Sequence, residues 1–176
     1  MSQSDANLLE RLNDVIAKAR TAGADAADLV YAEGTSVAMT YRLGKPENLD
    51  RAEGIDLGLR VLIGKRQAIV SSSDCSDAAR DEFIERAVAM ARVVPEDEFC
   101  GLADSDHLAN NVPDVDECDP VEPDASVLET RARDAEAAAR DVPGVTNSEG
   151  AEAGWSRSRV AVSASNGFAK VRVRSS

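Results

Sequence analysis

The sequence predicts an α+β fold: an antiparallel β-sheet, a meander plus a C-terminal hairpin, with helices packed on one face. Three observations predict it. Ser36–Leu43 and Ile55–Ile63 alternate apolar and polar residues, as half-buried strands do. Asn166-Gly167 stands between two more alternating runs, a strong short-range hairpin signal. Three other segments repeat apolar residues at helical spacing.

The first helix carries Leu8, Leu12, Val15, Ile16 and Ala19 on one stripe. Ser4 or a neighbour can cap its start, and Gly23 suits the position just past its end. A strand-rich block follows. Asp28–Glu33 reads as a short strand and Gly34-Thr35 as a turn. Ser36–Leu43 then places Val37, Met39, Tyr41 and Leu43 on one face, and Gly44-Lys45-Pro46 breaks the run. Glu47–Glu53 is polar and reads as an edge or twisted strand. Ile55, Leu57, Leu59, Val61 and Ile63 share one face of the next strand. Gly64-Lys65 fits a two-residue hairpin loop, which sets Val61 opposite Ala68 and Leu59 opposite Val70. The block reads as four or five antiparallel strands.

Ser71-Ser72-Ser73-Asp74 ends the sheet. Ser76 can cap a second helix, with Phe83, Ile84, Ala87, Val88 and Ala91 as its stripe and Pro95 as its stop. Asp124 can cap a third helix reaching about Arg140, with a thin apolar face of Val127, Leu128, Ala132, Ala135 and Ala139. Pro143-Gly144 ends it. Three parts result: helix, meander and helix over 1–94; a connector over 95–123; and a helix plus hairpin over 124–176 that completes the same domain.

Charge separates these parts. The 176 residues carry a net charge of −12. Residues 1–94 hold 15 acidic and 12 basic side chains, whereas 95–154 hold 17 and 3. Residues 155–176 hold 5 basic and no acidic ones. Within 95–124 stand 11 carboxylates, four prolines and no Lys or Arg, so an irregular, solvated connector is expected. It has little apolar area to bury and should be the most mobile internal segment.

The final hairpin carries most of the basic excess. A two-residue turn at Asn166 and Gly167 would pair Ser165 with Phe168, Ala164 with Ala169, Val162 with Val171, and Val160 with Val173. Those valines and alanines then share one face, and Arg159, Lys170, Arg172 and Arg174 share the other. Arg159 would lie opposite Arg174, an unfavourable pair that an acidic surface would relieve. The four basic residues are therefore docking candidates, with an ordinary solvated strand face as the alternative.

Other chemistry is sparse. The single histidine, His107, sits beside Asp104 and Asp106 but has no second histidine for a metal site. Asp114, Asp116 and Asp119 lack the turn glycine and closing glutamate of a calcium loop. Cys75 precedes a helix start, yet no histidine close in sequence can serve it as a base. Cys75, Cys100 and Cys118 form no CxxC and cannot all pair internally, which fits a reducing compartment. Ser71–Ser73 reads as a cap and turn rather than a nucleophile. Gly54, Gly58 and Gly64 fall in strands and turns, not at a phosphate-binding strand-to-helix junction. The strong acidity and the single aromatic among the hairpin arginines argue against direct nucleic-acid binding. No run reaches the roughly 18 apolar residues of a membrane span, and the first residues lack the regions of a secretory signal. The cytoplasm is the expected compartment. No catalytic and no metal-binding residue is assigned.

Several segments, taken in order, carry a family resemblance. They are Ala19–Asp28, Arg51–Gln67 with its Gly64-Lys65 turn, Ser71–Asp74, Gly101–Asp104, Thr146–Gly150 and Ser165–Phe168. Together they resemble the N-terminal portion of the TldD/PmbA family, the so-called modulators of DNA gyrase, in its PmbA/TldE branch. The resemblance implies a subunit of a cytoplasmic metallopeptidase complex. Family members are much longer, and TldD carries an HExxxH zinc site in its C-terminal half that TldE-like subunits lack. This sequence has no HExxxH, so no zinc ligand transfers to it, and zinc is expected only in a TldD-like partner subunit. The implied partners are that subunit, the family's C-terminal domain and unfolded peptides channelled for proteolysis, in an oligomer. The alternative is a non-enzymatic interaction module acting on DNA gyrase or another protein.

Overall fold

The computed structural model describes residues 2–109 and 111–176. It contains three helices, α1 (Gln3–Thr21), α2 (Asp77–Val93) and α3 (Ala125–Arg140). Five strands, β1 (Ala26–Arg42), β2 (Lys45–Ile63), β3 (Arg66–Ser72), β4 (Ala151–Ala164) and β5 (Ala169–Ser175), form one sheet in the order β3-β2-β1-β4-β5. That order is a three-stranded meander extended by a C-terminal hairpin, as expected. A single turn of 3-10 helix, Ser105–His107, lies in the connector.

The chain divides into two compact units. The first comprises Met1–Glu33, Ile55–Asp114 and Arg159–Arg172. Here α1 and α2 lay their stripes on one sheet face, burying Leu12, Val15, Ile16, Phe83, Ile84 and Val88 with Ala27, Leu29, Leu57, Leu59, Val61 and Val70. Ser2 caps α1 through the Asp5 N–H, and the Asp5 carboxylate accepts the Ser2 N–H in return, a reciprocal capping box. Gly23, at φ +113°, closes the helix: its N–H reaches Arg20 O and the Ala24 N–H reaches Ala19 O, a Schellman ending. Ser76 caps α2 as expected. The β2–β3 register also matches the sequence, with Val61 opposite Ala68 and Leu59 opposite Val70 around the Gly64-Lys65 loop.

The second unit comprises Gly34–Gly54, Val115–Ser158 and Val173–Ser176. Its core packs Leu128 and Ala132 of α3 on Val37, Met39 and Tyr41 of β1, flanked by Ala153 and Trp155.

Three local expectations are corrected. Gly34-Thr35 is not a turn, because β1 runs unbroken from Ala26 to Arg42. Gly34 lies alongside β4, where a Cβ would stand at ordinary contact distance, 3.5 Å, from the Arg157 carbonyl oxygen. Glu47–Glu53 and Ile55–Ile63 are likewise one strand, giving three meander strands instead of four or five. Leu43 leaves the apolar face and joins Gly44 in the β1–β2 loop, both at positive φ (49° and 79°), the type I′ arrangement.

On α3 the covered stripe is Leu128, Ala132 and Glu136, while Ala135 and Ala139 are exposed. The connector is tied down at several points. The Asp97 N–H donates to Lys65 O, Asn166 Nδ2 donates to Ala103 O, and the Ser175 N–H donates to Glu117 O.

Candidate docking surface

The β4–β5 hairpin holds the residues singled out for docking. Asn166 and Gly167 do sit in its loop, but the loop has three residues. The Ala164 N–H donates to Phe168 O and the Gly167 N–H to Ala164 O. Only Gly167 has positive φ, at +96°. This is the three-residue loop with a left-handed glycine, not the two-residue type I′ turn. The Asn166 side chain braces it by accepting the Phe168 N–H at 3.1 Å.

One added loop residue shifts every pair. At the far end Ser156 and Ser176 exchange both backbone bonds, which fixes the register together with Ala164 and Phe168. Val162 therefore stands opposite Lys170, Val160 opposite Arg172, and Ser158 opposite Arg174. Arg174 Nε donates to Ser158 Oγ at 3.2 Å, as that register requires. The expected Arg159–Arg174 opposition does not exist, and the faces regroup. Ala161 and Ser163 are fully buried on the helix-covered side, with Val171 packed against that core. Val160 and Val162 instead share the other face with Lys170 and Arg172.

Arg159 is set apart from the other three. It lies on the helix-covered side, where its guanidinium bonds Asp5 at 2.6 Å, Ser4 at 3.2 Å and Glu33 at 3.3 Å. Ser2, by backbone and hydroxyl, and then Arg159 hold the Asp5 carboxyl down at about 2. Burial alone would lower Arg159, but the bonds it donates to Asp5 and Glu33 more than offset it and raise its pKa. Tyr31 donates to Glu33 at 2.7 Å, and burial first, then that bond, pushes its phenol up to about 12.

The buried polar residue the sequence hid is Glu136. Only 2% exposed, its carboxylate accepts the N–H groups of Leu43 at 2.6 Å and Gly44 at 3.0 Å. The Gly44 N–H, against the opposing effect of burial, keeps its pKa below the ordinary carboxylate range. The Tyr41 hydroxyl closes the same loop by donating to Gly44 O. A glutamate at helical spacing after Leu128 and Ala132 was the available signal; its partners lie 92 and 93 residues away in sequence.

The fit to zinc is poor. Among the described residues no group of three or more His, Cys, Asp or Glu side chains could hold a metal ion. His107 is exposed in its 3-10 turn. No helix of the structure is long and apolar enough to cross a membrane.

These elements define an α+β domain whose described residues gather no donor set for a metal. Comparison with known proteins supplies its relatives. Residues 27–91 match the family model for PmbA/TldA metallopeptidase domain 1. The chain is 29% identical over 150 residues to the metalloprotease PmbA of Escherichia coli O157:H7, covering 84% of this chain and 33% of that protein. It is 28% identical over 116 residues to the PmbA homologue of Haemophilus influenzae, covering 66% and 26%. The chain thus spans about a third or less of the curated relatives it matches.

Among solved structures it resembles a candidate modulator of DNA gyrase from Bacteroides thetaiotaomicron, with TM-score 0.80 and 19% identity over 94% of this chain and 38% of that one. It also resembles TldE from Thermococcus kodakarensis, with TM-score 0.74 and 16% identity over 94% and 37%. The match over residues 27–91 falls in the first domain of the family that the sequence resembles.

Proposed function

We propose that this chain serves as the first domain of a PmbA/TldE-like, non-zinc subunit in a TldD/TldE-type metallopeptidase assembly. It helps to bind and channel unfolded peptides toward a zinc centre in a TldD-like partner, in the cytoplasm. The observation that carries this reading is the match of residues 27–91 to the metallopeptidase family's first domain, with the metalloprotease PmbA and its homologue among the relatives. A sheet edge suits the task, because main-chain pairing holds an extended peptide with little demand on its sequence. The hairpin face of Lys170, Arg172 and Arg174 supplies the docking surface for an acidic partner. The other reading, a module acting on DNA gyrase, draws only on the description of structural neighbours below 20% identity, which share the fold.

Mixing the chain with a TldD-like subunit from the same genome tests the proposal. Co-migration on size exclusion, weakened by salt as a charged interface requires, is the expected result. Independent migration at every salt concentration rejects it.

A further inference from the structure

The outer edge of β2 is open over more than half of its length. β2 runs Lys45–Ile63, but β3 covers only Leu57 to Ile63, and among the described residues no other strand lies outside it. Every residue from Lys45 to Asp56 is exposed. The Leu43-Gly44 loop determines which main-chain groups point outward. In a two-residue hairpin the flanking residues, Arg42 and Lys45, bond each other. Next to that loop Lys45, Glu47, Leu49 and Arg51 turn their N–H and C=O toward β1, and Pro46, Asn48, Asp50 and Ala52 turn theirs out. This phase reverses before Leu57, because Leu62 O accepts the Asp25 N–H and Ile63 turns to Arg66 of β3. Pro46, which has no N–H to offer, falls at an outward position, where a sheet edge tolerates proline.

The side chains along this edge are complementary to their own reversed copy. Two antiparallel copies related by a two-fold axis at Leu49 place Lys45 opposite Glu53, Glu47 opposite Arg51, and Leu49 opposite itself. On the other side of the strand Asn48 meets Asp50 and Pro46 meets Ala52. Outward groups then face outward groups, so the main chains can bond. The neighbouring axes fail on charge. An axis at Asn48 opposes Lys45 with Arg51; one at Asp50 opposes Glu47 with Glu53 and Asp50 with itself; one at Arg51 opposes two arginines. Axes between residues match outward groups with inward ones and cannot bond. Leu49, half exposed at 50%, gains cover only in the register centred on it. Arg51 already bonds Glu53 and Glu122, but all three side chains are more than 40% exposed, so these pairs exchange readily.

We propose that two copies of this chain pair through β2, antiparallel about Leu49, joining their sheets edge to edge. Interface and occupant follow from the strand itself and do not depend on the peptidase reading.

Site-directed disulfide trapping tests it on the whole 176-residue chain. Leu49 would face its own copy at a non-hydrogen-bonded pair, where side chains stand close. Leu49→Cys should give a disulfide-linked dimer under mild oxidation, well above the background of the parent chain with its native cysteines. Arg51→Cys alone should not, yet it should cross-link to Glu47→Cys when the two are mixed. Asp50→Pro removes an outward N–H and should abolish the dimer in sedimentation velocity while leaving the circular dichroism spectrum unchanged. The proposal is overturned if Leu49→Cys cross-links no better than Arg51→Cys. A chain that stays monomeric at all concentrations overturns it as well, whether its edge is merely guarded by proline and charge or binds an extended peptide instead.

Discussion

Glu136 accepts the Leu43 N–H at 2.6 Å, so a buried carboxylate on α3 holds the tip of the β1–β2 hairpin. Leu43 sits at φ +49°, a conformation few L-residues adopt without support. The carboxylate supplies that support by accepting both N–H groups of the turn.

Glu136→Gln should therefore lower the melting temperature and move the amide resonances of Leu43 and Gly44 more than any others. The amide can accept from one N–H only, and its NH2 confronts the second. The pH dependence has a definite sign. The carboxyl's folded pKa is depressed, so its contribution is complete above the ordinary carboxylate value and is lost as pH falls through the lower folded value. Glu136→Gln should flatten that acid limb; an unchanged melting curve from neutral pH downward would contradict the assignment.

Asp5 should titrate at about 2, mainly because Ser2 and then Arg159 bond its ionised form. Its stabilising effect is present above the ordinary value of 3.8 and disappears as pH falls toward about 2. Carboxyl carbon shifts followed by NMR against pH check this directly. Arg159→Met should raise the Asp5 midpoint without bringing it to the ordinary value, because the capping bonds from Ser2 remain.

Leu59 and Ile69 lie on adjacent strands of the first unit with opposite fates, fully buried and 65% exposed. Leu59→Ala should cost about 2–5 kcal/mol, the range for truncating a buried leucine. Ile69→Ala should stay within about 0.5 kcal/mol, as surface changes do. Denaturant titrations of both variants measure the contrast.

Much of this fold is legible in the sequence because its signals are local. Ser76 caps α2 and the Gly64-Lys65 loop sets the β2–β3 register, both within a few residues of the elements they define. The failures lie where distant partners decide. Gly34 reads as a turn until β4 runs beside it. Asn166-Gly167 marks the last hairpin correctly, but Ser165 joins the loop, and that single residue changes which side chains share a face. Arg159 resembles its basic neighbours in sequence, yet Asp5 and Glu33 engage it on the helix-covered side. Glu136 follows Leu128 and Ala132 at helical spacing, but a carboxylate is buried only where partners await it, and Leu43 and Gly44 are far away in sequence.

Arg172→Glu combined with Arg174→Glu should abolish assembly with a TldD-like subunit while the chain stays folded, with at most the small loss in melting temperature that follows from breaking the Arg174–Ser158 bond. Both side chains lie on the face away from Arg159, so the charge reversal spares the Asp5–Arg159–Glu33 network. Melting and co-migration are measured on the same preparation. Unchanged assembly would leave Lys170, Arg172 and Arg174 as an ordinary solvated face.

The central claim is that this chain serves a metallopeptidase without itself supplying the zinc centre. Its most direct test is metal analysis of the tag-free chain and of its TldD-like partner, coupled to cleavage of an unfolded peptide by each alone and by the mixture. The account predicts no stoichiometric zinc in this chain, one zinc in the partner, and faster cleavage in the mixture than in either alone. One tightly held zinc per chain here, with cleavage by this chain alone, would contradict it.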